Sequence, residues 1–401
     1  MRLVIIGAGF AGMYAALSAA RLRDIQGASP EELEIALVAP EPTLVVRPRL
    51  YESKPETLTA PLLDVLKAID VVYLQGSAET IETKSRTVDI VTDKGAKKSL
   101  SYDRLVVATG SRLFRPNNPG LAEHGFSVDS LDDAIALDKH LHNLVDRPAV
   151  NGRDTVVIAG GGFTGIEAAT EMPSRLREIL GKDAKTRVII VERNKAIAPD
   201  MGEDPRPVIE EALRKLGVET RLGAGVVSLD ESGVTLSSGD RIETKTVIWA
   251  AGIRAAPLTQ QVPAERDNFG RLLVDRDLRV PSVAGVFATG DAARAASDDV
   301  GNYALMSCQH ATRMGAFAGN NAVAELLGVP TKRYHQKAYV TCLDLGEAGA
   351  LFTRGWERKV EMVGDVAKKT KQEINTVWIY PPKAERAAAL ASADPEHVTN
   401  L

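Results

Sequence analysis

Cysteine is nearly missing from this chain of 401 residues: the two present, Cys308 and Cys342, cannot build a disulfide scaffold and fit a reducing compartment. They lie far apart in sequence and read as two packing thiols, with a bond between them left open. An excess of charge of one sign is missing too. The net charge of −4 carries neither the basic footprint of a nucleic-acid binder nor a strongly acidic tail. No uninterrupted apolar run reaches the length of a membrane span, and the first strand begins at residue 3, which leaves no room for a signal peptide. The expectation is a cytoplasmic protein, peripheral on the inner face of the cell membrane at most. Histidine is scarce, and His140 and His142, two apart, face differently on a helix, so no metal site is expected. No Ser/His/Asp or paired-carboxylate arrangement stands out. What remains is a globular composition, 44% hydrophobic and 25% charged, at a length that calls for two large domains and a small third.

What is present is glycine in a fixed pattern. Leu3 to Ile6 form a buried-type strand, and Gly7, Gly9 and Gly12 follow in G-x-G-x-x-G spacing before an amphipathic helix. The first glycine allows the sharp turn, the second lets backbone approach a pyrophosphate, and the third lets the helix sit close to the sheet. The helix then aims unpaired N–H groups at the phosphates. A second copy, TVVIAGGGFTGIEAAT at 155–170, places Gly160, Gly162 and Gly165 in the same roles at an offset of 160 − 7 = 153 residues. Phe10 pairs with Phe163 and Ala15 with Ala168, so this is an internal duplication, and two such units suggest two dinucleotides.

The copies differ where each second strand ends. A dinucleotide site normally carries Asp or Glu there to bond the adenosine ribose. The first unit has Ala39, followed by Pro40, with Glu41 two positions on. The second has Glu192 at the equivalent place, which predicts a carboxylate on the ribose diol and favours NAD over NADP. Arg193 and Lys195 beside it keep NADPH open. Apolar strands end in Ala108-Thr109-Gly110, in Trp249-Ala250-Ala251-Gly252 and in Ala288-Thr289-Gly290-Asp291. A helix follows over 307–327, opened by Ser307-Cys308-Gln309-His310-Ala311. The Lys-rich stretch at 367–375 reads as a solvated basic face, with Lys368, Lys369 and Lys371 meeting anionic lipid as the alternative, and strand-like residues precede it at 337–343 and 349–352.

The order GAGFAG, ATGS, GGGFTGIE, WAAGI and FATGDAA resembles the two-dinucleotide flavoprotein oxidoreductases of the pyridine nucleotide-disulfide reductase superfamily, over residues 1–327. Within it, WAAGIR and TLVVRPRLY look most like type II NADH dehydrogenases, the NADH:quinone oxidoreductases. The resemblance implies an α/β fold of two Rossmann-like domains, the NAD domain inserted in the FAD domain, plus a small α+β C-terminal domain. The implied boundaries are 1–114 and 257–328 for FAD, 115–256 for NAD(P)H and 329–401 for the last domain. Gly7, Gly9, Gly12, Arg47, Thr109, Gly110 and Asp291 match the FAD contacts. Gly160, Gly162, Gly165, Glu192 and Gly252 match those of NADH. Glu167 falls where the family has a glutamate close to nicotinamide and flavin. The helix start Gln309, His310 and Ala311 could offer N–H groups to the flavin pyrimidine edge, with His310 read either as a flavin neighbour or as a helix-start packing residue.

Disulfide reductases of the superfamily carry a redox cysteine pair just after the first unit, whereas residues 40–60 here hold no cysteine. A thiol relay is therefore not expected. The implied partner is a quinone or another small electron acceptor, with Glu167 and Gln309 as the catalytic candidates. A reductase of a ferredoxin-like protein or small oxidant stays open, as do a redox sensor with little turnover and a homodimer. Type II dehydrogenases carry Ala-Gln-x-Ala-x-Gln-Gln-Gly beside the flavin, its glutamines facing the quinone, where this chain has Cys308-Gln309-His310-Ala311-Thr312-Arg313-Met314-Gly315. Arg313 and Met314 are expected there to disfavour a long-tailed neutral quinone.

Overall fold

The structure is a computed structural model and describes residues 1–336 and 338–396. Strand Arg2–Ile6 runs parallel between Glu34–Ala39 and Arg104–Val107, and the sheet extends to Val72–Gln75 on one side and Val286–Ala288 on the other. Near-continuous apolar runs form these strands because both faces of a parallel sheet are covered. A second five-stranded parallel sheet repeats the plan, with Thr155–Ala159 between Arg187–Glu192 and Thr246–Trp249. Each sheet has a three-stranded antiparallel companion, at 77–101 and 226–243. The second sheet lies between parts of the first in sequence, and a two-stranded antiparallel ribbon, Ser111–Leu113 with Ile253–Ala255, carries the chain out and back.

The glycines of both turns behave as their spacing predicts. Gly7 has φ +110, and a Cβ on it would lie 2.4 Å from Ala108 O; a Cβ on Gly12 would lie 1.8 Å from Gly7 O. Gly160 has φ +118, and Gly165 meets Gly160 O at 1.9 Å by the same construction. Gly9 and Gly162, the middle positions, face open space within 4 Å. Two glycines of each triplet are thus consumed by packing, and the third leaves its backbone accessible.

Residues 340–363 form a three-stranded antiparallel sheet, Val340–Asp344, Ala350–Arg354 and Lys359–Val363, followed by helix Gly364–Glu373 and one π-helical turn, Ile374–Trp378. The expected strand from 337 begins outside the described residues, and its described part starts at Val340. The chain then turns back on the first sheet. Arg386 on the short helix Arg386–Ala391 reaches Asp24 and Asp70, each at 2.7 Å, and Ala389, Leu390 and Ala393 enter the core around helix Phe10–Ile25.

Candidate active site

Three helix or turn starts meet at the carboxyl edge of the first sheet. A Cβ on Gly290 would lie 2.7 Å from Cβ of Ala11 and 3.4 Å from that of Ala311, so the Thr289-Gly290-Asp291 turn is held between the first helix and the long helix Cys308–Leu327. Asp291 accepts a hydrogen bond from Ser111 Oγ at 2.6 Å and lies 3.9 Å from the Arg47 guanidinium. Arg47 itself bonds the Asp129 carboxylate at 2.6 Å and Ser111 O at 3.2 Å, tying this corner to the second unit. Burial pushes the Asp291 carboxyl up, with Ser111 and Arg47 opposing. Thr109 Oγ1 and Thr289 Oγ1, at the ends of neighbouring strands, are buried without a hydrogen-bond partner. Free hydroxyls beside an open glycine backbone and a carboxylate at a sheet edge fit FAD.

In the second unit Glu192 is only 6% exposed. One carboxylate oxygen accepts from Gly161 N at 2.7 Å, and the other from Asn194 N at 2.8 Å and Asn194 Nδ2 at 2.6 Å. The acid thus braces the glycine turn it is expected to serve, with spare lone pairs beside the turn. Arg193 and Lys195 are exposed. Gly252, φ +79, closes the neighbouring strand end, and its carbonyl accepts from Phe114 N at 2.9 Å.

Glu167 lies on helix Phe163–Leu180 and is 4% exposed. Its carboxylate accepts from Lys371 Nζ at 2.8 Å and from Asp344 N at 3.1 Å. Lys371 also donates to Cys342 O at 3.0 Å. Asp344 takes the Tyr51 hydroxyl at 3.2 Å and Lys368 at 2.5 Å. Burial pushes the Glu167 carboxyl up to about 7 against the opposing pull of Lys371. Glu167 in turn holds the Lys371 ammonium charged despite its burial. The expected solvated basic face is therefore corrected at Lys371, which at 5% exposure is the buried end of that helix turn. Ala367 and Lys371, four residues apart, form its buried stripe, a spacing present in the sequence but masked by the lysines around it. Lys371, Asp344 and Tyr51 escaped the sequence reading because three separate segments bring them together.

The start of the long helix divides the expected residues. Gln309 Oε1 accepts from Val340 N at 3.5 Å, and Ala311 packs beside Gly290. The His310 side chain is fully buried, linked to Ser307 Oγ at 2.9 Å and packed against Tyr339 and Trp356. Met314 is fully buried in the core of the first unit, so it does not face an acceptor. Arg313 is partly buried, donates to His335 O at 2.8 Å and lies 5.6 Å from the Phe317 ring centre. Both cysteines are free.

The model of the pyridine nucleotide-disulphide oxidoreductase family matches residues 1–315. The chain is 46% identical over 397 residues to an NADH dehydrogenase-like protein of Mycobacterium tuberculosis, covering 98% of each. It is 28% identical over 360 residues to demethylphylloquinone reductase of Synechocystis, covering 88% of this chain and 86% of that one. In fold it is similar to NDH2 from Plasmodium falciparum in complex with NADH, with a TM-score of 0.79 at 15% identity over 98% and 97% of the two chains. Duplicated glycine turns, the open backbone at their middle positions and this match together mean that the chain belongs to the pyridine nucleotide-disulphide oxidoreductase family, with FAD and NADH as its cofactors.

Proposed function

We propose that this NADH oxidoreductase delivers its electrons to a quinone-type acceptor. FAD is held by residues 1–114 and 257–328, NADH by 115–256, and the acceptor side is closed by 329–401. Bound FAD supplies the chemistry of taking a hydride from NADH and passing the electron pair on. The protein contributes position: Gly9 and Gly162 offer backbone to the two pyrophosphates, Asp291 and Thr109 face the flavin side, and Glu192 orients the NADH ribose.

The balance NADH + H⁺ + quinone → NAD⁺ + hydroquinone consumes one proton beyond the hydride. The buried Glu167–Lys371 pair is the observation that carries this reading. A carboxyl pushed up to about 7 still holds its proton near neutral pH and can release it, and Lys371 stabilises the carboxylate left behind. The sequence relationship to a demethylphylloquinone reductase supports the quinone assignment.

The test separates the half-reactions. Under anaerobic conditions NADH should bleach the flavin, and a short-chain quinone should restore its colour. The second step should slow as pH rises above about 7, because Glu167 then loses its proton. Glu167→Gln should slow that step by about 10²-fold and flatten its pH profile while flavin bleaching persists. Recolouring of Glu167→Gln at the wild-type rate would overturn the proton role. A panel in which only electron-transfer proteins recolour the flavin would overturn the quinone acceptor.

A further inference from the structure

Aromatic side chains are scarce on the surface of this protein, and those that reach it gather on one face. Among the described residues the exposed rings of phenylalanine, tyrosine and tryptophan are Phe114, Phe269 and Tyr303, at 41%, 51% and 41% exposure. Each has a guanidinium over it. Arg254 lies 4.4 Å from the Phe114 ring centre, Arg271 5.6 Å from that of Phe269 and Arg294 4.1 Å from that of Tyr303. Backbone joins the three pairs into a row. Ala255, next to Arg254, donates to Phe269 O at 2.9 Å, and the Arg271 guanidinium donates to Ala304 O at 2.8 Å, beside Tyr303. Leu273 pairs with Arg294 in a short parallel bridge that closes the row.

The charge on this face is uncompensated. Arg112 and Arg254, both exposed, stand directly opposite each other on the two-stranded ribbon that joins the two units. Like charges so placed destabilise an antiparallel pair unless an anion lies between them. Their neighbours Arg115 and Arg271 are paired, with Asp133 at 3.0 Å and Asp267 at 2.7 Å. Arg112, Arg254 and Arg294, by contrast, have no carboxylate partner among the described residues. In a chain of net charge −4 this is a local excess of the opposite sign. A guanidinium stacked on a ring keeps its edge N–H groups for an incoming carboxylate and is already ordered when that carboxylate arrives.

These features select the occupant. Exposed aromatic rings and arginine are the side chains that carry protein–protein contacts. A second copy related by a twofold axis would set the arginines against themselves. The rings stand on a ribbon and on loops, whereas a lipid surface is met by the continuous apolar face of a helix. We propose that this face docks an acidic segment of a partner protein, its carboxylates on Arg112, Arg254 and Arg294 and its apolar residues over Phe114, Phe269 and Tyr303. The partner lies across the connection between the two units, beside Ser111, whose hydroxyl bonds Asp291, and beside Ile253, which follows Gly252. Docking there does not depend on which acceptor the flavin serves.

The test is fluorescence anisotropy of a short fluorescein-labelled peptide of glutamate and phenylalanine residues, titrated with the full-length holoenzyme at low salt, beside a counterpart peptide with lysine for every glutamate. The acidic peptide should bind at least about tenfold more tightly than the basic one, and added salt should weaken it. The double variant Arg112→Ser with Arg254→Ser should weaken the acidic peptide by about tenfold, and Phe269→Ser by about threefold, with melting and the bleaching of the flavin by NADH unchanged. Equal affinity for the two peptides, no binding of either, or an acidic peptide that binds the double variant as well as the wild type overturns the docking face. Two further results overturn it by naming another occupant: wild-type protein that sediments with phosphatidylglycerol vesicles through the same two arginines, and self-association in analytical ultracentrifugation that the double variant abolishes.

Discussion

At the scale of single residues, the two dinucleotide turns share their glycines and differ in the acid that serves them. Ala39 has no carboxylate, and its carbonyl is taken by the Tyr73 hydroxyl at 2.9 Å and by Gly76 N at 3.0 Å. Burial together with the nearby Glu41 carboxylate pushes the Tyr73 phenol up to about 12, so it stays a donor. Ala39→Glu should therefore hold FAD more tightly by roughly 1.5–3 kcal/mol, read as slower flavin loss on gel filtration. Unchanged retention would assign the ribose to Glu41, and Glu41→Gln would then release flavin faster. Glu192 has the opposite character, because its carboxylate braces its own turn. Glu192→Ala should narrow the preference of flavin bleaching for NADH over NADPH and lower the melting temperature as well, since two backbone N–H groups lose their acceptor. Loss of stability with an unchanged NADH preference would leave it a purely structural acid.

At the scale of elements, the contact between helices Phe10–Ile25 and Cys308–Leu327 sets how closely the flavin side can be built. Cβ atoms on Gly315 and Gly319 would lie 2.3 Å from Ala11 O and 2.0 Å from Ala15 O, so the helices touch backbone to backbone. Alanine is the better helix former by about 1 kcal/mol, yet here it forces the helices apart. Gly319→Ala is therefore expected to destabilise by about 1–3 kcal/mol and to lower the melting temperature, with weakened flavin retention because the Gly290 turn lies in the same seam. A variant that melts higher would show that the seam has slack. Arg313 belongs to this scale too. It ties the long helix to the segment at His335, so Arg313→Gln should loosen that segment and be read in stability rather than in the choice between long-chain and short-chain quinones.

For the molecule as a whole, the chain closes on itself. Arg386 bonds Asp24 and Asp70, Arg21 pairs with Asp394 at 2.6 Å, and Ala389 and Leu390 are buried against the first unit. Exposed pairs of this kind contribute little each, so burial of the alanine-rich stretch holds the strap. No helix among the described residues is long and apolar enough to cross a membrane. With residues 386–396 committed to the first unit, most of the protein should remain in the supernatant when membranes are sedimented, and short-chain quinones should be reduced faster than long-chain ones in detergent. Protein that pellets with membranes and turns over long-chain quinone at least as fast would overturn both expectations.

What the sequence determined by itself was whatever depends on neighbours along the chain. The glycine spacing of Gly7, Gly9 and Gly12 and its copy at Gly160, Gly162 and Gly165 dictated two strand-turn-helix corners, because each glycine's demand is local to its own turn. Ser307 announced the start of the long helix in the same way, by accepting the His310 N–H three residues on. Tertiary structure decided the rest. Whether a lysine among lysines is solvated or buried, as Lys371 is, depends on Glu167, which lies 204 residues away in sequence and only 2.8 Å away in space. His310 likewise packs against Tyr339 and Trp356, partners that only the C-terminal sheet and its connections bring near. Local backbone preferences act over a few residues and can be read in order, whereas charge pairing and burial are settled by which distant surfaces meet, and that depends on how all the sheets and helices pack at once.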